Sequence, residues 1–140
     1  MRVMILAKES PAAETATVPT PEAMTAMVAF HEELVGAGIL LATDRLRPSS
    51  DGVRVRFDGD KPTVIDGPFT ESKELIGGYW LWQVRSLDEA IAWVRRAPFG
   101  AGTELEIRPV YEHEDFGAAF VAAAPPQQAR LDAKGRTPRG

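Results

Sequence analysis

Three ionisable side chains occupy stretches of the sequence that are otherwise largely apolar. His31 falls on the apolar stripe of a predicted helix, Asp44 lies within a predicted strand, and Asp66 ends another one. Histidine is the usual proton carrier near neutral pH, and a carboxylate among apolar neighbours is costly unless it is paired or hydrogen-bonded. The pattern predicts acid–base catalysis by these three residues, with His31 moving the proton and Asp44 orienting it.

Each of these residues also has a structural explanation. His31 can be a core or rim histidine that is satisfied by one hydrogen bond. Asp44 can instead pair across strands with one of three arginines: Arg45, Arg47 or Arg54. Asp66 can accept hydrogen bonds from backbone N–H groups of the turn that follows it, and we favour this role.

The turn after Asp66 carries unusually many polar groups. Residues 66–69 read DGPF, and residues 70–74 add two hydroxyls and charges of both signs. We predict that Glu71, Lys73 and the nearby Tyr79 bind substrate at a pocket mouth, with Lys73 and Asp66 holding it. A capped single helical turn with a solvated face explains the same residues.

Composition narrows the function classes. The chain has 140 residues, a formal net charge of −4 and no cysteine. Disulfides and thiolate chemistry are thereby excluded, nucleic acid is disfavoured as a partner, and one domain is expected. The apolar runs are too short to span a bilayer, and the start lacks a signal peptide, so we predict a cytoplasmic protein. We expect no metal or cofactor, since residues 113–115 (HED) make a poor metal site.

The predicted elements must position these side chains. Helix starts are indicated by Thr20 before Pro21 and by a capping box at Ser86 and Glu89. We predict helices over 21–35 and from 87 to about 97. The predicted strands cover 2–8, 39–46, 53–57, 63–65, 76–84 and 104–111.

This order predicts a ferredoxin-like α+β sandwich, β-α-β-β-β-β-α-β, with a mainly antiparallel sheet. Residues 76–84 carry apolar side chains on both faces, so that strand should be central. The helices can cover only one face of the sheet. We therefore predict a symmetric homodimer whose sheets pack face to face.

Five aromatic residues have two interpretations. They can wall a pocket for a flat small molecule, or they can belong to the core and the dimer interface. We favour core and interface. The set comprises Phe69, Tyr79, Trp80, Trp82 and Trp93.

The sequence also resembles a known family. The DGPF motif with residues 70–74 and 76–79 (IGGY) resembles the signature of the DGPF-domain branch of the YCII-related proteins. Further similar segments are HEEL at 31–34, AGILL at 37–41, LRPSS at 46–50, SLDEA at 86–90 and EIRPV at 106–110. The resemblance covers residues 1–117. We predict that the remaining residues, 118–140, form a flexible tail. A short helix anchored by Phe116 and Phe120 can lie at the start of this segment.

The resemblance implies a dimeric α+β barrel and an activity that is not established for most members. Relatives in the wider superfamily include small isomerases, dehalogenating lyases and metal-free monooxygenases. A His–Asp pair is the proposed active site of YCII-like relatives, and its nearest equivalents here are His31 and Asp44. We thus expect cofactor-free isomerase or lyase chemistry on a small organic molecule near the DGPF turn. The rival hypothesis is a module that senses a ligand or binds a partner, because some DGPF genes lie beside sigma-factor genes.

Overall fold

The computed structural model describes residues 1–10, 13, 19–69 and 75–123. Its strands are β1 (Arg2–Glu9), β2 (Leu40–Arg45), β3 (Val53–Asp58), β4 (Lys61–Asp66), β5 (Leu75–Gln83) and β6 (Leu105–Pro109). Its helices are α1 (Pro21–Gly36), α2 (Leu87–Val94) and α3 (Ala118–Ala123), and short 3₁₀ turns cover Ser49–Asp51 and His113–Phe116. The chain divides into two compact units, Met1–Pro109 and Val110–Gly140.

Capping residues set the helix boundaries much as the sequence predicts. The Thr20 side chain accepts a hydrogen bond from the N–H of Ala23 at 3.2 Å. At its other end, α1 stops before Gly38, which has φ 73°. Ser86 accepts the N–H of Glu89 at 3.1 Å. The capping box is only half formed, because the carboxylate of Glu89 binds Arg85 instead of the Ser86 backbone.

The first unit contains a four-stranded sheet in the order β2-β5-β1-β6, and every neighbouring pair is antiparallel. β3 and β4 form a separate hairpin inserted between β2 and β5. Without the hairpin, the element order and the strand order are those of a ferredoxin-like fold. The predicted α+β sandwich with an antiparallel sheet is therefore confirmed, with β5 central as expected.

Helices α1 and α2 bury one face of this sheet. Trp82 has no exposed surface, Trp80 is 5% exposed, and both lie on that face. Trp93 packs against the same cluster, so the core interpretation is confirmed for these three indoles. The other fully or nearly buried members of the cluster are Val3, Ile5, Phe30, Leu34, Ile39, Val84 and Ala90.

The buried stripe of α1 is narrower than its apolar residues suggest. Phe30 and Leu34 are buried, whereas Met24, Val28 and Val35 are 53%, 55% and 63% exposed. A helix lying on a sheet contacts it along one line of residues. The apolar stripe is wider than that line, so part of it remains exposed.

A bulge in β2 interrupts the alternation of its side chains between the two faces of the sheet. Leu40 is opposite Trp82 and packs on the helix-covered core, while Ala42 is opposite Leu81 on the other face. The register shift lies between Leu40 and Ala42, where Leu41 is exposed. Leu40 and Ala42 therefore lie on opposite faces of the sheet, whereas strict alternation would place residues two apart on the same face.

The second face of the sheet carries apolar side chains at its centre. Met4 and Leu6 of β1 lie opposite Leu81 and Tyr79 of β5, and all four are half-buried. Asp44 and Glu106 lie on the same face towards its edges. We call this surface the open face. Its apolar centre is the reason for predicting a homodimer, and the dimer remains a prediction.

Residues 110–123 of the second unit form a small aromatic cluster. The rings of Tyr111 and Phe116 lie 5.2 Å apart, and those of Phe116 and Phe120 lie 5.0 Å apart. α3 corresponds to the short helix predicted around Phe120, and the predicted tail beyond residue 123 lies outside the described residues. In the described ranges, no helix is long and apolar enough to cross a membrane.

Candidate functional site

The DGPF turn docks on the 3₁₀ turn that follows β2. The N–H of Gly67 donates to the carbonyl of Gly52 at 3.0 Å, and the N–H of Phe69 donates to Ser49 Oγ at 3.0 Å. A Cβ atom on Gly67 would lie 1.7 Å from the backbone oxygen of Ser49, so only glycine fits here. The glycine therefore serves a close contact within its own chain.

A pocket of about 450 Å³ lies beside this turn. Its wall combines apolar side chains with two arginines and a carboxylate. The guanidinium of Arg54 lies 3.8 Å from the centroid of the Phe69 ring, and Arg47 Nε pairs with Asp51 Oδ2 at 3.1 Å. The lining residues are Leu46, Arg47, Pro48, Ser49, Asp51, Gly52, Arg54, Phe69, Leu75 and Ile76.

This lining suits a small anion with a flat apolar part. The Phe69 ring and the aliphatic side chains offer apolar contact, while the guanidinium group is a fork of donors matched to carboxylates. Arg47 is 84% exposed, and an exposed ion pair contributes little. Arg47 can therefore exchange Asp51 for a ligand carboxylate at small cost.

Asp44 and Tyr79 form a hydrogen-bonded pair on the open face. Tyr79 Oη donates to Asp44 Oδ2 at 2.8 Å. This hydrogen bond, followed by slight desolvation and the negative charge of Asp44, raises the pKa of Tyr79 above its ordinary value of 10.0. The phenol thus stays protonated at neutral pH and acts as a hydrogen-bond donor, with Asp44 as its acceptor.

The pair lies close to the pocket along the strands. Asp44 is two residues before Leu46, a pocket-lining residue, which corresponds to roughly 6.5 Å in an extended chain. The N–H of Leu46 donates to the carbonyl of Gly77 at 2.8 Å, which holds the end of β2 against β5. The Tyr79–Asp44 pair therefore lies near the end of β2 that borders the pocket, although neither residue lines the pocket itself.

The two glycines of β5 make room for close neighbours. A Cβ on Gly77 would lie 2.5–2.7 Å from the carboxylate atoms of Glu9, and one on Gly78 would lie 3.0 Å from the backbone oxygen of Asp44. The close approach of the Asp44 backbone accounts for Gly78, whereas the neighbour of Gly77 is the end of a flexible side chain. Gly77 also lets a second carboxylate lie over the strand that carries Tyr79.

His31 does not lie with the Tyr79–Asp44 pair. Trp80 Nε1 donates to His31 Nε2 at 2.8 Å, and the two rings meet edge to face. Trp80 and His31 belong to the helix-covered side of the sheet, whereas Asp44 belongs to the open face. The expected His31–Asp44 pair is therefore not formed within one chain, because Asp44 and Trp80 occupy opposite faces of the sheet.

The other predicted site residues are dispersed or lie outside the described residues. Asp66 is exposed at the end of β4, opposite Val53, and does not line the pocket. Glu71 and Lys73 lie outside the described ranges, so their predicted role in substrate binding stays a prediction. Of the predicted set, the structure brings together Asp44 and Tyr79, while Phe69 of the aromatic set lies in the pocket wall.

Sequence reasoning missed Ser49, and it assigned Arg47 and Arg54 only as partners of Asp44. Nothing in the local pattern distinguishes Ser49 from other turn residues. Arg54 belongs to an alternating segment, residues 53–57, in which the arginines are expected to face solvent. A weak signal existed in the LRPSS segment, since its five residues, 46–50, belong to the family resemblance. Among the residues that the structure describes, no three His, Asp or Glu side chains group as metal ligands.

The fold and the site define a small ferredoxin-like α+β domain, with a pocket built on a glycine–proline turn. The chain belongs to the YCII-related domain family, whose model matches residues 1–114. An uncharacterized protein of Rhizobium meliloti (strain 1021) is 36% identical over 72 residues, which are 51% of this chain and 58% of that protein. The present chain therefore matches somewhat more than half the length of this relative.

A solved structure shows a more distant likeness. It is 5-chloro-2-hydroxyhydroquinone dehydrochlorinase from Burkholderia phenoliruptrix AC1100, in complex with 2,5-dihydroxybenzoquinone. The identity is 18% and the TM-score is 0.43, over 84% of this chain and 100% of the other. Family membership rests on the domain match alone.

Proposed function

We propose that this protein binds a small organic anion in the pocket beside Phe69 and transfers a proton on it without a cofactor, in an isomerase or lyase type of reaction. The observation that carries the proposal is the 2.8 Å hydrogen bond between Tyr79 and Asp44, close to a pocket with two arginines. An acid–base pair beside an anion-binding wall is the minimum that such a reaction needs.

Each group has a defined task. Arg47 and Arg54 hold the anionic group, and the Phe69 ring holds the flat part of the ligand. The Asp44 carboxylate takes a carbon-bound proton from the substrate and later returns one to it, while the Tyr79 phenol turns its hydrogen bond from Asp44 to the enolate oxygen that forms. The raised pKa makes Tyr79 a weaker acid, so its phenol keeps its proton at neutral pH and serves as a hydrogen-bond donor.

The test monitors proton exchange, so no product need be known. Short 2-oxo acids and hydroxyphenylacetates are incubated with the protein in D₂O, and NMR follows both binding and the loss of carbon-bound protons. We expect the wild type to bind at least one probe and to exchange its acidic C–H. Tyr79→Phe and Asp44→Asn should keep binding but lower the exchange rate by about 100-fold or more. Exchange that is unaffected by both variants would overturn the proposal.

A matched glycine pair tests the pocket itself. Gly67→Ala places a Cβ 1.7 Å from the Ser49 oxygen and should abolish probe binding, whereas the Cβ of Gly52→Ala lies at an ordinary 3.5 Å. Gly52→Ala should therefore bind the probes as the wild type does. Equal binding by both variants would show that the turn does not form the ligand site.

A second candidate function is a non-enzymatic module that senses a small ligand or binds a partner, with a link to sigma-factor regulation. The observation in its favour is that His31 accepts a hydrogen bond from Trp80 and lies away from the pocket. This candidate predicts saturable probe binding with no proton exchange in the wild type. The same NMR experiment therefore separates the two functions.

A further inference from the structure

The β3–β4 hairpin meets its own chain with its charged side. Arg54 lies over the Phe69 ring at 3.8 Å, and its cross-strand partner Ile65 is half-buried. The opposite side carries apolar residues, and Phe57 on that side is 79% exposed. Strands with one solvated face usually show the reverse, with apolar residues inside and polar residues outside. The inverted order indicates that the inward side serves a purpose other than apolar packing.

Arg56 extends this charged side beyond the pocket. It lies two residues after Arg54 on β3, so both side chains point to the same side of the hairpin, and their Cα atoms are roughly 6.5 Å apart. Arg54 lines the pocket, whereas Arg56 is exposed and lies outside the pocket wall. The two guanidinium groups therefore follow one another along the hairpin, the first inside the pocket and the second outside it.

The base of the hairpin is fixed at the pocket. The N–H of Gly67 donates to the carbonyl of Gly52, a pocket-lining residue, at 3.0 Å, just before the first cross-strand pair of β3 and β4. Arg54 belongs to the second pair, and Arg56 lies two pairs further towards the hairpin turn. A ligand that extends out of the pocket along the hairpin would thus reach Arg56.

Arg56 can bind an anion without first giving up an acidic partner. Within the described residues it forms no ion pair, whereas Arg47 in the pocket pairs with Asp51. The acidic residue that follows on the same side of β3, Asp58, lies opposite Lys61 in the hairpin. A guanidinium group presents a planar fork of donors that matches a carboxylate.

We propose that the ligand of this site is a dianion, with one carboxylate held by Arg47 and Arg54 in the pocket and the second held by Arg56 outside it. This inference rests on the proposed function and names its substrate class, a flat dicarboxylate whose ring lies against Phe69 and whose anionic groups lie at opposite ends. A monoanion uses the pocket alone, so Arg56 determines the specificity for the second charge.

Calorimetric titration with two probes that differ by one charge provides the test. Terephthalate carries a carboxylate at each end of its ring, and 4-carbamoylbenzoate has nearly the same shape with one carboxylate replaced by a neutral amide. At low ionic strength we expect the wild type to bind terephthalate about tenfold more tightly, because its second carboxylate gains charge-assisted hydrogen bonds. Equal affinities, or no binding of terephthalate, would overturn the inference.

Two variants locate the second charge site. Arg56→Gln should remove the preference for terephthalate and leave the affinity for 4-carbamoylbenzoate unchanged. Lys61→Gln is the matched control, because it removes the same charge from the same side of the hairpin, nearer its turn. This control should keep the preference to within about twofold. Equal effects of the two variants would show that the net charge of the hairpin attracts the dianion, and would refute the assignment to Arg56.

The result can be separated from that of the proposed function. Proton exchange on a monoanionic probe, together with equal affinities for terephthalate and 4-carbamoylbenzoate, would refute the dianion and leave the proposed function intact. Terephthalate binding that depends on Arg56, without proton exchange on any probe, would support the dianion site and refute the catalytic role.

Discussion

The two faces of the four-stranded sheet are made from the same strands but differ in what covers them. On one face Trp80 and Trp82 lie beneath the helices, and His31 is held there by Trp80. On the open face, the next residues along β5 are Tyr79 and Leu81, which are only half-buried. Alternation along one strand thus separates residues that serve stability from residues that are available to a ligand or a second chain.

The comparison corrects the assignment of the histidine. A histidine and an aspartate at suitable sequence positions suggest a catalytic pair, yet here the sheet lies between them. The hydrogen bond from Trp80 gives His31 a structural role on the covered face. The acid–base pair of the open face is Tyr79 with Asp44 instead.

The largest expected effect is on the covered face. Trp82→Ala should lower the free energy of unfolding by about 3–5 kcal/mol, because it empties the centre of the core. Leu81→Ala, one residue earlier and on the open face, should lower it by roughly half as much or less. Urea denaturation of both variants at one protein concentration measures the difference, and equal losses would contradict the contrast between the faces.

A smaller effect is expected at His31. His31→Ala removes the acceptor of the Trp80 N–H and leaves a largely buried donor without its partner, so we expect a loss of about 1–3 kcal/mol. His31→Gln retains an acceptor at this position and should lose less. Equal losses in the two variants would show that packing alone, and not the hydrogen bond, accounts for the effect.

The same residue predicts a pH dependence. Burial lowers the pKa of His31 below its ordinary 6.5, so the unfolded chain binds a proton more readily than the folded one. The stability contribution is full above the unfolded pKa and is lost as the pH falls through it towards the folded pKa. His31→Gln should flatten the decline in stability between about pH 7 and pH 5. Urea denaturation of the wild type and the variant at several pH values measures the difference, and parallel curves would contradict the prediction.

The smallest effect is spectroscopic and belongs to the open face. The protein has two tyrosines, so Tyr111→Phe leaves Tyr79 as the single phenol that titrates. Its ultraviolet tyrosinate signal should appear above pH 10, since the hydrogen bond to Asp44 raises the pKa. Adding Asp44→Asn should move the midpoint downwards. An unchanged midpoint would show that the pair does not persist in solution.

Much of the fold follows from local patterns. Thr20 with Pro21 and Ser86 with Glu89 mark helix starts, and the apolar runs mark strands that appear within a few residues of their predicted bounds. These signals can be read from sequence because caps and periodicity depend on neighbours within one turn or one strand. The bulge at Leu41 could not be read in the same way, since it depends on the partner strand.

The sequence by itself determined the family, the α+β fold and the importance of the DGPF turn, because these depend on residue order and local backbone preference. Only the tertiary structure decided that Gly67 fits against Ser49, that Phe69 and Arg54 share a pocket wall, and that His31 and Asp44 lie apart. Those facts depend on contacts between residues that are far apart in the chain. Phe69 and Arg54 are 15 positions apart, and His31 and Trp80 are 49 positions apart. No local pattern specifies such contacts, since packing selects them only once the sheet has formed.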